Sequence, residues 1–352
     1  MPRRNEPRRV LSERALNRAL LARQQLLERA TSTLPKAIER VGGLQTQYAP
    51  AGYIALRTRL DGFERDDLTR ALERKRVVQA WLMRSTIHMA TARDFWLFTE
   101  AIREERRRLF LRAWKGSARE FAGPARKVER LLADGPKRRG ELTKSLGLDA
   151  RTWYGVMLWL DLVRVPPFGT WERPRADLFA LSSDWLGDPP SIARDEAVEH
   201  LVGRYLAAFG PASSADAASF TGLPPREVSS VLRRLGVRRF ADERGGELFD
   251  VARAPLPDPE TPAPVRFLPA WDATLLVHAR RTQILPERHR SRVFSTKTPH
   301  SIHTFLVDGR VAGAWRPERG HVVLEPFEPL PKATRVEIDE EAEHMAGLFT
   351  DN

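Results

Sequence analysis

The chain contains no cysteine. Disulfides, thiolate nucleophiles, cysteine-ligated zinc and cysteine-ligated iron–sulfur clusters are therefore excluded. Also missing is any apolar run near the ~18 residues that a membrane-spanning helix needs. Familiar catalytic signatures are absent too: there is no HExxH, no Walker loop, no GxSxG and no carboxylate pair at a telling spacing. His300 and His303, three apart in a predicted strand, make too weak a metal pair to carry a site. No metal and no cofactor is expected. The first residues, Met1 to Arg9, are basic but lack the apolar core of a secretion signal, so they read as an arm able to touch phosphates. The chain reads as cytoplasmic, with no membrane partner.

What is present is bulk, tryptophan and positive charge. At 352 residues, 42% hydrophobic and 30% charged, with nine tryptophans, the chain can bury real cores in two to four domains. Lys and Arg outnumber Asp and Glu by twelve. That surplus suggests an anionic partner, nucleic acid ahead of an anionic membrane surface. A solvated basic surface enriched by high-GC coding is the bland alternative.

The apolar periodicities predict mostly helices at first. Ser12 can cap a helix from Glu13 to about Ala30, and Thr33 one from Pro35 to about Val41 that stops at Gly42-Gly43. Further helices follow from Ala51 to Leu60, with Arg57 and Arg59 facing solvent, and from Asp66 to Arg74. Val77 to Ala90 reads as strands, and Ala92 to Trp114 as a long helix carrying Arg103, Arg106, Arg107, Arg108 and Arg112. From Ala125 three helices and a hairpin (strands at Val163–Val165 and Asp177–Leu181) give the winged-helix order, and Ile192 to Val251 repeats it. A stretch with five prolines, Ala254 to Pro264, then opens a mostly β region. Its strands are expected at Val265–Leu268, Thr274–Val277, Ile302–Val307 and Val322–Leu324, with a closing helix at Asp339–Phe349. The expected fold is α+β: three tandem winged-helix units followed by a small C-terminal β-barrel or curled sheet. The expected divisions are 1–122, 123–188, 189–254, a linker at 255–264, and 265–352.

Winged helices usually bind duplex DNA, although some serve as protein-interaction modules. Candidate phosphate contacts are Arg57, Arg59, Arg84, Lys137, Arg138, Arg139, Arg280 and Arg281, with the arginines of the long helix, Arg233-Arg234, Arg238-Arg239, Arg288, Arg290 and Arg292 as further patches. The chemistry is more sharply marked. Gln45-Thr46-Gln47 lies between a glycine pair and Pro50, so the two amides share a face if the chain there is extended. On spacing alone the same pair also reads as helix-end polar residues satisfying backbone groups. Thr86-Ile87-His88 ends the strand region that begins at Val77. An amide is no general base, but it can hold a water or turn its dipole toward a cation. That suits a reaction whose leaving group is already activated.

Three runs carry a resemblance: Leu44-Gln45-Thr46-Gln47-Tyr48-Ala49-Pro50, Trp81 to His88, and Leu306-Val307-Asp308-Gly309-Arg310 through Trp315 with Val323 to Phe327. They resemble the AlkZ/YcaQ family of DNA glycosylases, and the likeness runs from the first helix to the last. Gln45 and Gln47 match the Gln–aliphatic–Gln form of the AlkZ branch, with Thr46 departing from the aliphatic middle residue. The resemblance implies tandem winged helices, a C-terminal barrel, and hydrolysis of the N-glycosidic bond of alkylated purines such as N7-alkylguanine, including bulky adducts and interstrand crosslinks. It implies Gln45 and Gln47 as the catalytic pair, Thr86 and His88 at the pocket or the lesion-flanking phosphate, and a monofunctional enzyme, since no nucleophilic lysine is designated. The implied partner is duplex DNA containing alkylated bases, without an obligate protein partner. A non-catalytic winged-helix regulator or architectural DNA binder is the competing class; it has no reason to combine the two motifs.

Overall fold

The structure, a computed structural model, describes residues 8–279, 281–295 and 300–350. Arg280 and most of the basic N-terminal arm lie outside the described residues. A short strand β1 (Val10–Leu11) leads into α1 (Glu13–Arg23), capped by the Ser12 hydroxyl, which accepts from the Ala15 N–H at 3.1 Å. This helix stops short of Ala30, and Gln25 turns the chain in the left-handed region (φ 57°). Next come α2 (Leu34–Arg40), β2 (Leu44–Gln45), α3 (Pro50–Arg59), α4 (Arg65–Glu73), β3 (Val77–Trp81) and β4 (Ile87–Thr91). The long α5 spans Ala92–Trp114, as its periodicity predicts, and Thr91 caps it through the Asp94 N–H.

Helices α6 (Ala118–Leu132), α7 (Arg139–Leu146) and α8 (Ala150–Trp159) surround strands β5 (Lys137–Arg138), β6 (Leu162–Arg164) and β7 (Leu178–Leu181). The short α9 (Ser182–Leu186) leads on to α10 (Arg194–Phe209), α11 (Ser214–Thr221) and α12 (Pro225–Arg234), which precede the hairpin β8 (Arg238–Asp242) and β9 (Glu247–Asp250). Three helices and a hairpin thus occur twice. The sheets, however, join these segments. One six-stranded sheet runs β2-β4-β3-β6-β7-β5, so its strands lie on both sides of residue 122, with Gln79 opposite Arg164 and Ala80 opposite Val163. Strand β1 pairs in parallel with β8. Most of the apolar core is correspondingly shared: Leu20, Val78, Phe98, Val163, Tyr205 and Leu306 belong to one buried cluster.

The C-terminal strands are β10 (Arg266–Leu268), the short pair β11 (Phe294–Ser295) and β12 (His300–Ser301), β13 (Thr304–Val307), β14 (Arg310–Glu318) and β15 (His321–Pro326). Four of them form an antiparallel sheet ordered β10-β13-β14-β15. Among the described residues no pairing joins β15 back to β10, so this is an open sheet and not the expected closed barrel. The reason is visible in the core. Phe267, Phe305 and Trp315 pack with Tyr53, Ile54 and Leu56 of α3, and with Ile338 and Met345 of the closing α13 (Lys332–Ala346). Helices cover the apolar face, so the sheet has no need to curl on itself. Strands β13 and β14 are joined by a two-residue hairpin turn, with Asp308 and Gly309 both left-handed (φ 43° and 75°). The strand expected at 274–277 is instead a 3-10 turn, Ala273–Leu275, because Asp272 caps it through the Thr274 N–H.

Candidate active site

Helix α2 ends at Gly42 and Gly43, both left-handed (φ 77° and 85°). The Gly43 N–H returns to the Ile38 carbonyl at 3.0 Å, and a β-carbon there would lie 3.2 Å from the Met89 carbonyl oxygen. Glycine therefore lets β2 lie directly against β4, with Gln45 opposite His88. Thr46 continues the ladder, its N–H donating to the Ile87 carbonyl at 2.8 Å. Pro50 then starts α3.

On the other side, β3 and β4 are joined through Leu82–Thr86, where Arg84 and Ser85 are both left-handed (φ 55° and 54°). Two successive non-glycine residues in that region are costly, and the surroundings hold them. Met83 is buried, and the Leu82 N–H closes the loop on the Thr86 carbonyl at 3.0 Å. Arg84 is thereby aimed at the glutamines. Its Nη2 donates to Gln45 Oε1 at 2.5 Å, and its guanidinium lies 4.9 Å from the Phe220 ring centre on α11. Burial lowers its pKa to about 10, which leaves it charged at neutral pH. No carboxylate pairs with it among the described residues.

The two glutamines have different surroundings. Gln45 is buried, with its oxygen on Arg84. Gln47 is exposed, and its Oε1 accepts from the Ile87 backbone N–H at 3.1 Å. Since both partners are donors, each amide must present its oxygen inward and its NH2 group away, and each oxygen keeps one further lone pair. His88 is buried: its pKa is lowered to about 3, first by burial and then by Arg84. As a neutral ring it donates from Nδ1 to the Thr86 carbonyl at 3.1 Å. Thr86 is half-buried, and its hydroxyl donates to Met83 O. His88 is thus enclosed, with Nδ1 on the Thr86 carbonyl and Nε2 buried without a partner in the chain.

Gln47, Ser85 and Ile87 form one end of a half-open cleft of about 640 Å3. The rest of it lies between the C-terminal half of α5 and helix α8, with Arg106, Arg139 and Arg164 on its walls. Of the candidate phosphate residues from sequence, Arg139 and, from the long-helix patch, Arg106 are found here. Lys137 and the exposed Arg138 stand nearby on β5, with Arg138 4.4 Å from the Phe168 ring centre.

Several other basic candidates have structural duties instead. Arg59 is buried in an ion pair with Asp272 (2.9 Å), and Arg57 donates to the carbonyls of Phe63 and His344. Both were expected to face solvent; both instead fasten α3 to later segments. Arg103 pairs with Asp161, Arg107 donates to the Leu158 and Trp159 carbonyls, and Arg108 pairs with Glu105. Arg234 pairs with Glu199, Arg238 with Asp250, Arg239 with Glu247, Arg288 with Glu328, Arg290 with Glu287 and Arg292 with Glu325. Arg281 is half-buried over Phe294. His303 accepts from the Ala270 N–H through Nδ1, and among the described residues no group of three or more His, Cys, Asp or Glu is placed to hold a metal ion. No helix among them is long and apolar enough to cross a membrane.

Sequence reading missed the cleft's aromatic wall. Trp81, Phe110, Trp114 and Tyr154 come from three elements, and no local spacing announces that they meet.

The comparisons bear on the whole chain. No curated protein matches the sequence. Among solved structures, the Streptomyces sahachiroi DNA glycosylase AlkZ superposes with a TM-score of 0.79 at 20% identity, over 96% of this chain and 97% of that one. At that identity the likeness establishes the fold. The family model described as DNA glycosylase AlkZ-like matches residues 38–348, which include the Gln45-Thr46-Gln47 strand end, the Arg84 loop and the cleft between them and α8. The chain therefore belongs to the AlkZ-like DNA glycosylases, enzymes that hydrolyse the bond between base and sugar in DNA.

Proposed function

We propose that this glycosylase releases alkylated purines, N7-alkylguanine in particular and bulky or crosslinked adducts among them, by attack of a water that Gln47 positions. The observation that carries this is the placement of Gln47: exposed, at the end of a cleft, with its amide orientation fixed by the Ile87 N–H. N7 alkylation makes the purine a cation, so the base departs without protonation and the sugar becomes oxocarbenium-like. The free lone pair of Gln47 Oε1 can accept a hydrogen bond from the attacking water and turn a dipole toward that sugar. Gln45 has a different task. Its oxygen already carries a guanidinium, an arrangement that opposes sheltering a cation, so it holds Arg84 toward the phosphate beside the lesion. The segments 118–181 and 194–250 supply winged-helix order for gripping duplex DNA, with Lys137, Arg138 and Arg139 as backbone contacts. Alkylated duplex is the partner, and one chain suffices.

The two glutamines can be separated experimentally. Base release from a duplex carrying N7-methylguanine should fall at least a hundredfold in single-turnover assays of Gln47→Ala, with DNA affinity nearly unchanged. Gln45→Ala should weaken binding as well as rate, because Arg84 loses its support. A Gln47→Ala variant with wild-type rates would remove the water-positioning role.

A further inference from the structure

The cleft beside Gln47 is walled by aromatic side chains left open to solvent. Leu109 (43% exposed), Trp114 (51%) and Tyr154 (40%) make up half of the six large hydrophobic side chains exposed among the described residues, and all three line this cleft. Apolar surface gathered in a concavity marks a binding site more often than chance exposure does. The rings are already arranged in pairs. Trp81 and Tyr154 have centres 4.9 Å apart at 46°, and Phe110 and Trp114 are 6.1 Å apart at 37°.

Polar atoms in the same walls also lack partners. Trp81 Nε1, Arg106 Nε and Arg164 Nε are buried donors, and Asp177 Oδ1 is a buried acceptor; none has a hydrogen-bond partner within the chain. Arg106 is itself more than nine-tenths buried.

We propose that this cleft is a stacking site for a planar heteroaromatic ring carried by the nucleotide at the reaction centre. The ring is either the alkylated base, extruded from the duplex, or an aromatic group attached to it. The proposal rests on the glycosylase reading of Gln47, which forms one end of the cleft. Aromatic walls accept any π face. Three guanidiniums line the site against one carboxylate, Asp177.

The test is binding, measured in a Gln47→Ala background so that no base is released during the titration. Duplexes carry N7-methylguanine, an N7-guanine adduct with a planar polycyclic group, or no lesion. Trp114→Ala and Tyr154→Ala should each reduce the preference for damaged duplex about tenfold, and Trp114→Phe should restore it. Loss with both lesions identifies the base as the ring; loss confined to the polycyclic adduct identifies the substituent. A parent that does not distinguish damaged from undamaged DNA, or alanine variants that keep its preference, overturns the proposal. Base release by the wild-type chain is measured separately. Its absence would sink the proposed reaction and leave the binding result to judge the cleft.

Discussion

At Gln45 and Gln47 identical side chains, two residues apart, differ in what their oxygens accept. Gln45 meets the Arg84 guanidinium and Gln47 a backbone N–H. The glycine pair before the motif and Pro50 after it permit extended chain, and Gln45 takes it in β2, whereas spacing alone left the helix-end reading open. The Arg84 contact was not legible, because Arg84 is 39 positions away from Gln45 and reaches it only through a loop with two left-handed residues. His88 shows the same limit. The resemblance implies a place at the pocket or the lesion-flanking phosphate, and the strand pairing sets the ring in the interior. There burial and Arg84 lower its pKa to about 3. An unfolded histidine titrates near ~6.5, so between the two values the unfolded chain binds a proton that the folded chain refuses. The stability this contributes is whole above about pH 6.5 and is lost as pH falls toward the folded value, at up to ~1.4 kcal/mol per pH unit. His303, lowered to about 4, adds to the same slope. Urea midpoints of His88→Asn measured between about pH 6 and 4.5 should fall less steeply than those of wild type. An unchanged slope would mean that His88 takes up protons freely in the fold.

Among the elements, α5 is the one whose bounds the sequence predicts most closely and whose purpose it predicts least well. Periodicity gives Ala92–Trp114, and the run of arginines suggests a phosphate footprint. In the fold these arginines mostly secure α5 to its neighbours. Arg107 donates from Nε to the Leu158 carbonyl (2.8 Å) and from Nη2 to the Trp159 carbonyl (2.9 Å), the last carbonyls of α8. Helix-end carbonyls lack partners of their own, and a cation there also favours the helix dipole. A single sequence cannot separate such an arginine from one that faces DNA, since both occupy a helix face rich in positive charge. Arg107→Ala should lower stability by about 2 kcal/mol, read from urea or thermal unfolding, and should loosen the wall of the cleft that α8 supplies. Arg107→Lys should recover part of it. A neutral Arg107→Ala would assign the α5–α8 contact to apolar packing alone.

For the molecule as a whole, the element order gives three successive units, yet the structure binds them by long-range contacts that no local pattern reveals. Asp250, at the end of β9, is fully buried and holds two arginines. Arg23, the last residue of α1, reaches it with Nη1 at 2.7 Å and Nη2 at 3.0 Å, and Arg238 adds a third bond at 2.5 Å. Arg23 also donates to the Leu206 and Pro255 carbonyls, so this ion pair ties the first helix, α10, the β8–β9 hairpin and the proline-rich segment together. The same segment is pinned again where Arg18 Nε meets the Thr261 carbonyl at 2.6 Å, which is why a stretch expected to act as a linker lies along α1. Asp250→Asn keeps the shape and removes the charge, leaving a buried guanidinium without its counterion. Breaking a buried pair in this way costs about 3–5 kcal/mol, a large part of the roughly 5–15 kcal/mol that holds a typical domain together. Urea unfolding of the variant should show that loss in full. Gln47 and its cleft lie elsewhere, so base release at low temperature should stay near wild type. If Asp250→Asn unfolds within about 1 kcal/mol of wild type, Arg23 is held well enough by its two carbonyls, and the shared apolar core is what unites the chain.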